Sequence, residues 1–167
     1  MLLAVDVQYE ANKAFVAGVS FENWEDEKAG QVFKTVVEEP GEYQPGEFYR
    51  RELPCILALL DKFKLAPQTI VVDGFVYLDG TSQPGLGKHL YEALHGTASV
   101  IGVAKSAYQG ISDQFALLHG GSLRPLYVTC VGMELAEAMG HIQAMHGKFR
   151  MPTLLKLVDT VCREKQP

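Results

Sequence analysis

Short apolar and β-branched runs joined by polar links fill the first forty residues, and helix-like spacing of apolar positions enters only afterwards. Leu2-Leu3-Ala4-Val5-Asp6-Val7 is a short apolar run broken by one acid, the pattern of a buried strand. Ala14 to Phe21 and Gln31 to Val37 follow, rich in β-branched and aromatic residues. The links Glu10-Ala11-Asn12 and Asn23 to Gly30 are short and polar, so three consecutive antiparallel strands, a meander, are predicted. Glu39-Pro40-Gly41-Glu42-Tyr43-Gln44-Pro45-Gly46 then interrupts the pattern with two Pro-Gly turns.

Beyond this break Leu53, Ile56, Leu57, Leu60 and Phe63 recur at three- and four-residue steps, which predicts an amphipathic helix over 53–64. Pro54 suits its first turn, where a missing N–H is harmless. Thr69 to Gly74 reads as a buried strand ending in an acid and a glycine, and a glycine-rich loop leads to a helix around 86–94. Ala98–Ala104 and Leu126–Val131 are the next strands, and two helices, about 134–145 and 153–163, close the chain. With no internal repeat or linker, residues 1–167 read as one α/β domain with the order βββαβαβ, then a further strand and helices. A three-strand meander followed by αβ units matches the ribonuclease H-like architecture: a mixed central sheet flanked by helices.

Four acids stand out within this frame. Asp6 breaks the first strand, Asp73 ends the strand after the first helix, Glu52 precedes that helix's apolar stripe, and Asp159 lies between Val158 and Val161 in the last helix. Each alone has an ordinary reading as a turn former, a cap or a solvated residue. Together they fall where the architecture brings strand ends into contact, since the first strand and the one after the first helix are parallel neighbours. Adjacent carboxylates repel unless a divalent cation lies between them. An oxygen-only ligand set without Cys or clustered His favours Mg²⁺ or Mn²⁺ over zinc. Lys105, at the end of the strand Ile101 to Ala104, would place a cation beside this cluster; its ordinary reading is a snorkelling strand-end lysine.

Composition narrows the picture further. Of 167 residues 47% are apolar and 21% charged, which excludes wholesale disorder. The net charge of −5 argues against holding nucleic acid by bulk electrostatics. That charge is uneven, because residues 148–167 carry Lys148, Arg150, Lys156, Arg163 and Lys165 against only Asp159 and Glu164. Cys55, Cys130 and Cys162 form no C-x-x-C pair, so neither a disulfide framework nor a zinc knuckle is expected. No apolar run approaches the roughly 18 residues of a membrane span, and the start lacks a signal-peptide pattern. A cytoplasmic protein with no membrane partner is the expectation.

Several segments resemble the endonuclease V family, nucleases of deaminated bases and especially inosine. Val5-Asp6-Val7-Gln8-Tyr9 is similar to its first-strand motif, and Tyr43 to Pro54 resembles Y-I-P-G-x-L-x-F-R-E-G-P with equal spacing from tyrosine to glutamate. Val71-Val72-Asp73-Gly74 resembles V-x-D-G, Gly85 to Leu90 resembles G-L-A-S-H-L, and Ile101 to Ser106 closely matches I-G-V-A-K-S. Arg150-Met151-Pro152 with Lys156 and Asp159 is similar to R-I-P-E-P-T-R-x-A-D.

The resemblance implies that Asp6, Glu52, Asp73 and Asp159 hold Mg²⁺, with Mn²⁺ able to substitute, and that Lys105 acts with them in catalysis. It further implies substrate contacts from Tyr43 as a wedge, Pro45, Gly46, Gly74, Ser106 and Arg150. The implied partner is DNA or RNA containing a deaminated base. Departures from the family are clear. The family usually has a helical segment before its first strand, whereas here the first strand is expected from Leu2; Asp79 stands near the place of its histidine, and the wedge reads Glu42-Tyr43-Gln44-Pro45. Two other readings fit these departures: a ribonuclease H-like nuclease with a different substrate, and a non-catalytic nucleic-acid-binding descendant.

Overall fold

The structure, a computed structural model, describes residues 1–38, 40, 47 and 49–164. The predicted meander is present as β1 (Leu2–Glu10), β2 (Lys13–Phe21) and β3 (Val32–Glu38), with Ala11 turning the first hairpin at φ 54°. Then come α1 (Tyr49–Lys62), β4 (Thr69–Asp73), α2 (Leu86–Ala93), β5 (Ser99–Ala104), β6 (Ala116–Leu117), β7 (Leu126–Val131), α3 (Leu135–Ala144) and α4 (Thr153–Arg163). The strands form one seven-stranded sheet in the order β3-β2-β1-β4-β5-β7-β6. β1, β4 and β5 run parallel, while β2, β3 and β7 are antiparallel to their neighbours, as the ribonuclease H-like reading requires.

One expectation needs correction, and one element escaped the sequence reading. The first helix begins at Tyr49, not Leu53, so Pro54 is its sixth residue and not part of the first turn. There it cannot donate to the carbonyl four residues back. Four buried apolar residues, Cys55, Ile56, Leu59 and Leu60, anchor the helix downstream. At roughly 1.5–3 kcal/mol for each large apolar side chain, that burial outweighs the proline's cost of about 3 kcal/mol. The two-residue strand β6 has too few positions to show any period, and the sequence pattern missed it.

Strand alternation divides the interior into two cores. Leu2, Ala4, Val71, Ile101 and Val103 face α3 and α4 together with Ile142, Leu154 and Val158. Leu3, Val5, Ile70, Val72 and Val100 face α1 and α2 with Ile56, Leu59 and Leu90. Residues just beyond the strand ends inherit the same alternation, and this determines where the acids point. Among the described residues no helix is long and apolar enough to cross a membrane.

Candidate active site

The parallel register pairs Val5 of β1 with Val72 of β4, so Asp6 and Asp73 come next on adjacent strands. Counting by twos from Leu2 and Ala4 puts Asp6 on the α4 face. The same count from Val71 puts Asp73 there, and from Ile101 and Val103 it puts Lys105 there. In α4, Asp159 lies four residues after buried Leu155 and three before buried Cys162, on the stripe that packs against the sheet. Asp6, Asp73, Lys105 and Asp159 accordingly line one small cavity of about 20 Å³, together with Val71, Val103, Leu155 and Val158 of the same face. Ligand atoms of Asp6, Asp159 and Cys162 all lie within 4.8 Å of one another.

Glu52 arrives from the other helical layer. It lies in the first turn of α1 and, with Asp73, lines a second, larger cleft of about 240 Å³. Asp73 therefore belongs to both concavities. The wider cleft is walled by Tyr49, Phe75 and Tyr108 and floored by Gly74 and Gly85. The ring of Tyr49 stacks on His89 at 3.7 Å, so it is braced from α2. Gly74 has φ +134° with nothing near its missing side chain, so its backbone conformation, not lack of space, demands glycine.

Like charges crowd this site. Burial, then the neighbouring Asp73, raises the Asp6 carboxyl, although Val7 N–H donates to its Oδ1 at 2.9 Å. Glu52 is pushed up to about 8 by burial, then by Asp73 and Asp6. Asp73 opens to the cleft, yet the surrounding walls raise its carboxyl more than Lys105 lowers it. Burial also pushes Asp159 upward, but Arg163, which donates from Nε to Oδ1 at 3.0 Å, and the charge of Lys105 bring it below the usual range. Cys162 was read only as an unpaired cysteine, and sequence reasoning missed its place beside the acids. Its position three residues after Asp159 in an α-helix was the available signal. Burial pushes its thiol up to about 12, so it stays protonated and donates to the Asp159 carbonyl at 3.2 Å.

The remaining expected residues are distributed as follows. Ser106 is exposed next to Lys105. Arg150 directs its guanidinium to backbone carbonyls, those of Lys105, Pro125 (2.7 Å) and Arg124 (3.2 Å), so these donors are occupied within the protein. Asp79 organises its own loop, accepting from Thr81, Ser82 and Gln83 N–H groups at 2.8–3.1 Å. Tyr43, Pro45 and Gly46 lie outside the described residues.

Comparison with known proteins fits this geometry. A family model described as Endonuclease V matches residues 1–128. The endonuclease V of Streptomyces avermitilis is 32% identical over 145 residues, covering 72% of this chain and 60% of that protein. That of Trichormus variabilis is 26% identical, covering 96% of this chain and 81% of that one. The crystal structure of the Streptomyces avermitilis protein superposes with a TM-score of 0.77 at 27% identity, covering 97% of this chain and 79% of that one. Ciona intestinalis endonuclease V, solved with a 24mer DNA containing an inosine followed by a ribo-adenosine, shares the fold with a TM-score of 0.78 at 22% identity, covering 97% of this chain and 83% of that one. The family match over most of the chain, with a ribonuclease H-like sheet beneath it, shows that this chain belongs to the endonuclease V family.

Proposed function

We propose that this chain hydrolyses a phosphodiester bond near a deaminated base, inosine, in DNA or RNA. The observation that carries this reading is the convergence of Asp6, Asp73, Asp159 and Lys105 on one cavity, with Glu52 meeting Asp73 from the opposite layer. The donor set fits Mg²⁺, with Mn²⁺ able to substitute, because it offers carboxylate oxygens alone once the Cys162 thiol stays protonated. The upward shifts at Asp6, Glu52 and Asp73, caused first by burial and then by neighbouring charges, are of the kind a bound cation would relieve. Asp6, Glu52, Asp73 and Asp159 would hold the ion, which when bound supplies Lewis-acid activation of water and charge neutralisation on the phosphodiester.

The chain's own residues account for the rest. Lys105 brings its ammonium into the carboxylate cavity, where it would stabilise charge developing on the phosphate. The aromatic cleft beside Glu52 and Asp73 suits an extruded base, which stacks on rings and leaves its polar edge to backbone groups. Tyr43 belongs to this reading as the strand-opening wedge, Gly46 and Gly74 as points of close backbone approach to the base, and Pro45 and Ser106 as further substrate contacts.

The test is cleavage of labelled inosine-containing strands beside matched controls, in Mg²⁺ and in chelator. A cut at one position near inosine is expected, lost with chelator and lost in Asp73→Asn. No cleavage of any strand with Mg²⁺ or Mn²⁺ ends the enzyme reading. Uracil, abasic and mismatched strands in the same assay resolve which base the loop carrying Asp79 admits.

A further inference from the structure

Residues 138–158 contain no acid and hold Lys148, Arg150 and Lys156. Midway along this stretch Phe149 is 78% exposed, an unusual place for an aromatic ring. Its backbone is firmly held. The fully buried ring of His119 has its nitrogens 2.7 and 2.8 Å from the carbonyl oxygens of Phe149 and Met145. Gly121 N–H donates to the Lys148 carbonyl at 3.2 Å, and Thr153 N–H donates to the His146 carbonyl at 2.7 Å. Arg150 ties the next residue to three further carbonyls. A buried histidine and an arginine thus fix the main chain of a loop in which Met145 is buried and Met151 partly buried, while Phe149 points to water.

Phe149 lies in a groove of about 460 Å³ that also includes Gly147, Met151, Thr153 and Lys156. Met151 lines both this groove and the carboxylate cavity, just as Asp73 lines both that cavity and the aromatic cleft. Shared lining residues thus link the three concavities in series, with the carboxylate cavity between the other two. Among the described residues, Arg124, Lys148 and Lys156 enter no ion pair, so their charges are available.

We infer that the groove between the Phe149 loop and the first turn of α4 is a second nucleic-acid subsite, where Phe149 stacks on an unpaired base and Lys148 and Lys156 meet its flanking phosphates. The occupant is the same strand, continuing past the carboxylates on the side opposite the aromatic cleft. This rests on the nuclease reading for the identity of the strand. Ring plus lysines is the arrangement that binds single strands without reading sequence, since every base offers a face to stack on. Arg150 is a positioning residue within it, fastening the loop instead of contacting phosphate.

The test measures binding of a fluorescein-labelled single-stranded inosine oligonucleotide to the full chain in chelator, where cleavage cannot interfere. Phe149→Ala is expected to weaken binding about tenfold, equivalent to ~1.4 kcal/mol and within the range of one stacked base. Because the ring is exposed, the variant should melt with the parent. Phe149→Trp should restore affinity, and its added indole emission, over the background of Trp24, should be quenched on binding. Lys148→Gln with Lys156→Gln should flatten the salt dependence.

Binding by Phe149→Ala within twofold of the parent overturns the inference, as does unquenched emission in Phe149→Trp. A parent chain that ignores the oligonucleotide but self-associates through Phe149 also overturns it and marks a protein interface. Cleavage is scored separately in Mg²⁺. A chain that binds through Phe149 yet cuts nothing removes the nuclease reading and keeps the subsite; a chain that cuts inosine strands but binds indifferently to Phe149 does the reverse.

Discussion

Glu52 shows how burial and like charge outweigh a helix terminus. In the first turn of α1 the macrodipole favours its anion by about 0.3–1 kcal/mol, yet its carboxyl is pushed up to about 8 from an ordinary 4.5. The folded protein therefore holds this proton more tightly than the unfolded chain does. The stabilisation is complete below pH 4.5 and is lost as pH rises toward 8. In chelator, melting temperature should fall across that window. Glu52→Gln should flatten the fall and melt higher than the parent at its alkaline end, and Mg²⁺ should raise the parent there; a flat parent profile in scanning fluorimetry would refute this. Lys105 acts in the opposite direction, because its charge lowers both Asp73 and Asp159. Lys105→Ala should reduce kcat on the order of 10²-fold and move the acid limb of the pH–rate profile upward. Unchanged kinetics would leave Lys105 a strand-end residue only.

At the scale of elements, the site depends on how closely the segment after β4 lies against β5. A side chain at Gly102 would meet the Gly74 carbonyl oxygen at 2.5 Å and Val76 N at 2.9 Å, both backbone atoms unable to yield cheaply. Gly102→Ala should cost about 1–3 kcal/mol in denaturant unfolding and lower cleavage as well, since it displaces the turn next to Asp73. Thr129 reaches across from β7 and accepts from Val76 N–H at 2.8 Å in a buried setting. Thr129→Val, close in shape, should cost about 1–3 kcal/mol by leaving that N–H unpaired.

These cross-strand contacts were invisible in the sequence, where Gly102 and Thr129 look like ordinary strand residues 27 positions apart. The strands themselves were legible because burial on both faces writes a short continuous apolar run, as in β1, β4 and β5. The start of α1 was not, because Tyr49, Arg50 and Arg51 precede the apolar stripe. They are held by contacts that no period records, Tyr49 on His89 and the Arg51 guanidinium 3.8 Å over the Tyr9 ring. The acids could be read because a carboxylate inside an apolar run is itself unusual. Cys162 could not, since a cysteine on an apolar helix face is the commonest place to find one.

Across the whole molecule, a net charge of −5 looked unfavourable for a nucleic-acid partner. The structure places part of that acidity at one point, where a divalent cation would offset it, and leaves the acid-free 138–158 stretch beside it. Oligonucleotide affinity should therefore rise on replacing chelator with Ca²⁺, which resembles Mg²⁺ in its oxygen ligands. The rise should be much smaller in Asp6→Asn; equal gains in both, followed by anisotropy, would place the cation elsewhere.

The two-sided construction of the site has a consequence for how activity is acquired. Glu52 belongs to the α1–α2 core and Asp159 to the α3–α4 core, with the sheet between them. A chain on its way to the native state with only one helical layer docked would present an incomplete set of acids. On the proposed function, such a chain would lack part of the acid set that is to hold the ion. Competence would on that reading require both layers to be docked, so a half-folded molecule would not cut the nucleic acid around it.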